Sequence, residues 1–182
     1  MKRLGLLRHA KSEDYLPRGR DFDRGLNDKG RRAAKVMGAH LGKEIDAFDM
    51  VVGSPAVRVQ ETLDIAMAAM GDTAPKKRLD DRLLYLATPE NLADVAARHA
   101  GDCDGLLLVA HNPGLADFVL ERVPDNDENP LREEVAIKYP TGAFSLLEFD
   151  IADWSELPEA EGRLVTLVRP RDIDATLGPG FD

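Results

Sequence analysis

The chain has 182 residues, 43% of them hydrophobic and 31% charged, a balance that fits one soluble globular domain with a sizeable core. Its formal net charge of -9 argues against a basic face for duplex nucleic acid, but is compatible with a local cationic cleft that focuses an anion. A single cysteine, Cys103, rules out an intrachain disulfide and a Cys-based zinc cluster, and is expected to be an inert thiol.

In chain order, Leu4 to Leu7 reads as a buried strand that ends abruptly in Arg8-His9-Ala10. That apolar stretch is too short for a leader's apolar core, and no run approaches the ~20 residues of a membrane span, so the expected compartment is the cytoplasm. A polar loop from Lys11 to Asn27 follows, in which Arg18, Arg20 and Arg24 alternate with Asp14, Asp21 and Asp23. Asp28 to Lys43 predicts a helix with Val36, Met37, His40 and Leu41 on its inner stripe. Asp49 to Gly53 is a second strand. Ser54-Pro55 then has the form of an N-cap and first helical residue, opening a helix to Met70 with Leu63, Ala66, Met67 and Met70 inward.

Lys76 to Leu79 is a short strand or an extended connector. Thr88-Pro89 opens a helix to His99 by the same cap logic, and Gly105 to Ala110 is apolar throughout, as a strand covered on both faces would be. Asn112-Pro113 caps a further helix to Arg122. Pro124 to Pro130, with its acidic run from Asp125 to Glu128, reads as a solvated loop without calcium-loop spacing. Gly142 to Ile151 and Arg163 to Val168 read as a strand pair, and residues 169–182 as a surface tail. The alternation predicts a single domain over 1–182: a three-layer α/β/α sandwich with a mostly parallel central sheet and an edge strand or two reversed.

Three strand ends thus carry His9, Arg58 and His111, with Arg8 beside His9. In open α/β sheets ligands bind beyond the carboxyl ends of strands, and two of the three residues lie beside predicted helix N-termini, where an anion is favoured. A neutral imidazole can be a covalent nucleophile, nearby arginines lower its pKa, and the arginine fork bonds two phosphoryl oxygens at once. Phosphoryl transfer needs alignment and charge stabilisation, which this set supplies without a metal or other cofactor.

Leu7-Arg8-His9-Ala10, Ser54-Pro55-Ala56-Val57-Arg58 and Ala110-His111-Asn112-Pro113-Gly114 resemble the three signatures of the histidine phosphatase superfamily, the phosphoglycerate mutase-like family. The chain is most similar to its small SixA type, through Arg8-His9-Ala10-Lys11-Ser12, Asp23-Arg24-Gly25-Leu26-Asn27, Leu84-Tyr85-Leu86-Ala87 and Pro140-Thr141-Gly142-Ala143. The resemblance implies His9 as the nucleophile that becomes phosphohistidine, Arg8 and Arg58 as phosphoryl ligands, and His111 as a hydrogen-bonding partner of the transferring group. Ser12, Arg24, Thr141 and Gly142 are candidates for binding substrate; ordinary loop and turn roles are the alternative for each. His40 and His99 read as structural.

Ester-cleaving members of the superfamily carry an acid between the second-arginine helix and the second-histidine strand. Here Asp80 and Asp81 read as turn caps, and Glu90 as part of a helix's first turn. An alkoxide leaves badly without a proton, whereas imidazole can leave neutral once protonated by solvent. The expected activity is therefore a phosphohistidine phosphatase acting on a phosphotransfer domain or phosphocarrier, as a monomer, with no nucleic-acid or membrane partner. A small-molecule phosphomonoesterase and a non-catalytic phosphate-binding module are the alternatives.

Overall fold

The computed structural model describes residues 1–15, 19–126 and 129–179. Six strands form one sheet: β1 (Lys2–Arg8), β2 (Met50–Gly53), β3 (Lys77–Asp80), β4 (Gly105–Ala110), β5 (Phe144–Phe149) and β6 (Gly162–Val168), in the spatial order β3-β2-β4-β1-β5-β6. Strands β1 to β4 are parallel; β5 is antiparallel to both β1 and β6. The reversed strand is therefore interior, not at an edge as the sequence suggested. The edge strand β6 runs with β1, because it returns from β5 as an antiparallel neighbour.

Alternation along the strands sends side chains to two cores. Leu4, Leu6, Leu106 and Leu108 pack with Leu92, Phe118 and Trp154 on the face covered by α3 (Pro89–His99), α4 (Gly114–Arg122) and α5 (Leu131–Ile137). Leu7, Val51, Leu107 and Val109 pack with Met37, Leu41, Val59 and Leu63 on the face covered by α1 (Asp28–Glu44) and α2 (Val57–Met70). Burial of β4 on both faces accounts for its unbroken apolar sequence. No helix among the described residues is long and apolar enough to cross a membrane.

Several boundaries depart from expectation. Helix α2 begins at Val57 with Ala56 at its N-cap and no side-chain cap, because Ser54 still extends the strand, its N–H donating to the Val109 carbonyl. Helix α4 begins at Gly114, and the Asn112 amide donates to the Tyr139 carbonyl instead of capping it. Thr88 does cap α3, its Oγ1 accepting from the Asn91 N–H. On α1, Met37 and Leu41 are buried but Val36 and His40 only half-buried. The α1–α2 contact runs instead along small residues: a Cβ on Gly38 would lie 2.3 Å from the Ala66 carbonyl oxygen.

Helix α5 was not anticipated beyond the acidic loop, of which residues 127–128 lie outside the described residues. The tail is folded over residues 169–179. It forms α6 (Pro170–Ile173) and a 3-10 turn (Ala175–Leu177), burying Pro170 and Leu177, while Lys29 on α1 donates to the Gly178 carbonyl.

Candidate active site

Strands β1, β4 and β2 lie side by side, so the residues after their ends converge. The His9 N–H donates to the Ala110 carbonyl at 3.1 Å and the Gly142 N–H to the His9 carbonyl at 3.0 Å, fixing the backbone that carries the first imidazole. One residue on, the Ala10 N–H donates to Thr62 Oγ1 at 3.0 Å, and that hydroxyl donates to the Arg58 carbonyl at 2.6 Å. Thr62 thereby ties the end of β1 to the first turn of α2.

The ring partners fix both tautomers. His9 Nδ1 lies 2.8 Å from the Ala10 carbonyl, which only accepts, so Nδ1 carries the hydrogen and Nε2 keeps its lone pair. Arg58 Nε donates to that Nε2 at 3.3 Å. His111 Nδ1 lies 3.3 Å from Arg58 Nη2, a pure donor, so His111 holds its hydrogen on Nε2 and donates it to Ser54 Oγ at 2.9 Å. The two rings are 5.1 Å apart and tilted by 59°.

Burial, ahead of the positive charges of Arg58, Arg8 and Arg24, brings the His9 pKa down to about 4 against the pull of the Ala10 hydrogen bond. His111 falls to about 3, again chiefly through burial, with His9 and Arg58 adding to it. The arginines thus act in the direction the sequence suggested, but desolvation is the larger cause. Both rings are neutral at cellular pH.

Arg58 is 2% exposed, and its guanidinium reaches both imidazoles. Its other donors meet Asp21: Nη1 donates to the Asp21 carbonyl at 2.6 Å and Nη2 to Asp21 Oδ2 at 2.9 Å. Tyr85 Oη donates to the same Oδ2 at 2.9 Å, and Arg24 Nε and Nη2 donate to Oδ1 at 3.0 and 2.7 Å. Partial burial would raise the Asp21 pKa, but the hydrogen bonds from Arg24, Tyr85 and Arg58 together hold it at about 2. Sequence reasoning missed Asp21 and Tyr85 as site residues. The available signal was the spacing of Asp21–Arg24 and Arg20–Asp23, two i,i+3 ion pairs around the 3-10 turn Asp21–Asp23.

Arg8 Nη1 donates to the Tyr139 carbonyl at 2.8 Å, while its Nε is buried without a partner. Burial lowers its pKa, yet the guanidinium remains the charged form at any ordinary pH.

A cavity of about 340 Å³ opens at this convergence, lined by Arg8, His9, Arg58 and His111, and also by Ser12, Arg24 and Thr141. Lys11, Asn112, Asp21 and Leu86 complete the wall. Ser12 Oγ accepts from Arg24 Nη1 at 3.0 Å. Gly142, a substrate-binding candidate from sequence, is not on this wall. Its φ of +77° and the 2.8 Å that would separate a Cβ from Pro170 Cγ explain the glycine structurally. Arg20 is exposed and paired with Asp23, and Arg18 lies outside the described residues.

The stretch from Asp80 to Glu90 aims no carboxylate at the cavity. Asp81 Oδ1 accepts from the Leu83 N–H, as expected of a turn cap, and its Oδ2 is 2.8 Å from His99 Nε2. Asp80 accepts from Gln60, and Glu90 is exposed in the first turn of α3. From this stretch the cavity wall receives Leu86 alone, at a left-handed φ of 53°.

Comparison with known proteins agrees with the geometry. The model of the histidine phosphatase superfamily (branch 1) matches residues 4–84. An uncharacterized protein of Mycobacterium tuberculosis is 30% identical over 167 residues, spanning 91% of this chain and 100% of that one. An uncharacterized protein of Mycobacterium leprae is 29% identical over 170 residues, with the same coverage. Among solved structures, one from Nakamurella multipartitia assigned as phosphohistidine phosphatase SixA superposes with a TM-score of 0.76 at 27% identity, covering 93% of this chain and 96% of that one. The protein histidine phosphatase SixA complexed with tungstate shares the fold, with a TM-score of 0.73 at 15% identity and coverage of 94% and 99%. With sequence and fold in agreement, the chain belongs to the histidine phosphatase superfamily and is similar to its SixA type.

Proposed function

We propose that the protein removes the phosphoryl group from phosphohistidine in a partner protein, by way of phosphoryl-His9. His9 Nε2 attacks phosphorus as the substrate's P–N bond breaks, and the departing imidazole is neutral because solvent has protonated its other nitrogen. Since His9 keeps hydrogen on Nδ1, the intermediate is a phosphoimidazolium. Water then adds to phosphorus, the bonding pair returns to Nε2, and both water hydrogens leave with the phosphate. Neither step needs a proton from a carboxylic acid.

Arg58 and Arg8 neutralise the phosphoryl oxygens: Arg58 by exchanging its bonds to the imidazoles for bonds to the oxyanion, Arg8 through its unpartnered Nε. His111 supports the transferring group by exchanging hydrogens with solvent, losing the one on Nε2 and gaining one on Nδ1 to donate to a phosphoryl oxygen, while Ser54 turns its hydroxyl hydrogen toward the freed Nε2 lone pair. Ser12 and Thr141 offer hydroxyls on the cavity wall, and Arg24 holds Asp21 in place.

The observation that carries the reading is Asp21. It is the sole carboxylate among the described residues lining the cavity, and at a pKa of about 2 it is ionised and bound to two arginines and a tyrosine. An alkoxide would find no acid there; an imidazole leaving group requires none. A panel of phosphohistidine protein, phosphoserine peptide, sugar phosphates and an activated aryl phosphate, run on wild type and His9→Ala, tests this. Turnover of phosphohistidine and aryl phosphate well above the alkyl esters, lost with His9, is expected. Comparable turnover of phosphoserine and phosphohistidine would overturn the reading.

A further inference from the structure

A second cavity of about 340 Å³ adjoins the first, sharing Arg8, Lys11 and Thr141 with it. Its remaining cations are Lys29 on α1, Lys138, and Arg169 and Arg171 at the start of the tail. No carboxylate lines it among the described residues, in a chain whose net charge is -9. Ala33, Pro170 and Leu177 form an apolar floor, so the cavity exists only because the tail folds back on α1.

The cations divide into two kinds. Arg169 is anchored, its Nε 2.9 Å from Asp172 and its Nη1 2.9 Å from Glu134, and Lys29 donates to the Gly178 carbonyl. Lys138 and Arg171 are exposed, and their side chains have no hydrogen-bonding or ionic partner among the described residues. Like charges gathered on one concave wall repel one another, and an anion relieves that repulsion.

We infer that this cavity is an anion subsite of the substrate. It takes a carboxylate or phosphate group carried beside the phosphoryl group that is removed, with Lys138 and Arg171 as its adaptable ligands. This rests on the reading that the first cavity holds that phosphoryl group. In a phosphohistidine protein the second anion would be an acidic side chain near the phosphohistidine; in a small phosphomonoester, a second acidic group on the same molecule.

The test is calorimetric, on full-length wild type and on K138E/R171E. One pair of probes is a peptide bearing a non-hydrolysable phosphohistidine analogue with either Asp/Glu or Asn/Gln flanks. The other is phenyl phosphate with or without a ring carboxylate, on protein also carrying His9→Ala to block turnover. Wild type should prefer the acidic member of a pair by at least ~10-fold, and the charge reversal should reduce that to under ~2-fold while leaving affinity for the neutral member unchanged. Preference confined to the peptides identifies a protein source, and preference confined to the small esters a metabolite; both support the subsite. Equal affinity within both pairs, or a loss in the variant shared by neutral and acidic probes, overturns it. K138E alone, away from the tail, must show a partial loss in the same direction; its absence also overturns the inference. Absence of wild-type turnover on the substrate panel, with the acidic preference intact, would sink the phosphatase substrate reading but not the subsite.

Discussion

The two adjoining cavities share a wall but hold their charges in opposite ways. In the first, Arg58 is buried and each of its three guanidinium nitrogens has a partner among His9, His111 and the carboxylate and carbonyl of Asp21, whereas Arg8 leaves its buried Nε unpartnered. In the second, Lys138 and Arg171 stand in solvent without partners. A buried cation must be satisfied or it costs several kcal/mol, and the same partners hold it in one geometry. An exposed cation is cheap to place and loosely held. Groups that must meet a transition state therefore belong to the first kind, and groups that only attract a ligand to the second.

That contrast is broken or sharpened by substitution, beginning where the largest effect is expected. His9→Ala removes the nucleophile and should reduce kcat by at least ~10⁴-fold in a steady-state assay with aryl phosphate. Arg58→Ala should cost ~10²–10³-fold in kcat, as expected for loss of a preorganised charge, and retention of more than a tenth of the activity would show the network to be dispensable. Asp21→Asn keeps the shape but not the charge. It should lower turnover of phosphohistidine and aryl phosphate alike by ~10-fold, through a less well held Arg58. Selective loss of ester hydrolysis would instead make Asp21 a proton donor.

The pH response follows from the depressed histidine pKa values. Between the unfolded value of about 6.5 and the folded values of about 4 and 3, the unfolded chain binds more protons at His9 and His111. Their neutral burial therefore favours the fold above pH 6.5, and this contribution is lost as pH falls through that window. NMR titration of the His9 ring should give a midpoint near 4; one near 6.5 would mean a solvated ring. Thr62→Val should cost ~1–3 kcal/mol in chemical unfolding, because the buried Ala10 N–H loses its acceptor. At the small end, Lys138→Ala should shift stability by no more than ~0.5 kcal/mol, as befits a charge without partners.

Much of this was legible because buried parallel strands write themselves plainly. Leu4 to Leu7 and Leu106 to Ala110 are apolar on both faces, so the side chains after them are marked as strand-end residues. Cap residues located α3 well, and misplaced the start of α2 because Ser54 has a different task, accepting from His111. On α1 the sequence pattern favours the bulkier residues as the inner stripe, yet Gly38 and Gly42 make the close approach to Ala66 and Met70 of α2, because close helix contact selects small side chains. Asp21 was hidden for another reason. Its loop has no periodicity, and only the tertiary fold brings it against Arg58, a residue 37 positions away. The tail's role as a cavity wall is equally a property of packing, since Pro170 and Leu177 carry no signal alone.

The central claim is that phosphorus passes through Nε2 of His9. Wild-type protein mixed briefly with phosphohistidine protein, quenched without acid and digested for mass spectrometry, reports on it directly. The account predicts a phosphoryl group on the peptide containing His9, formed and lost at rates compatible with turnover and absent from His9→Ala. Sustained turnover with that peptide unmodified, or with the label on another residue, would contradict it.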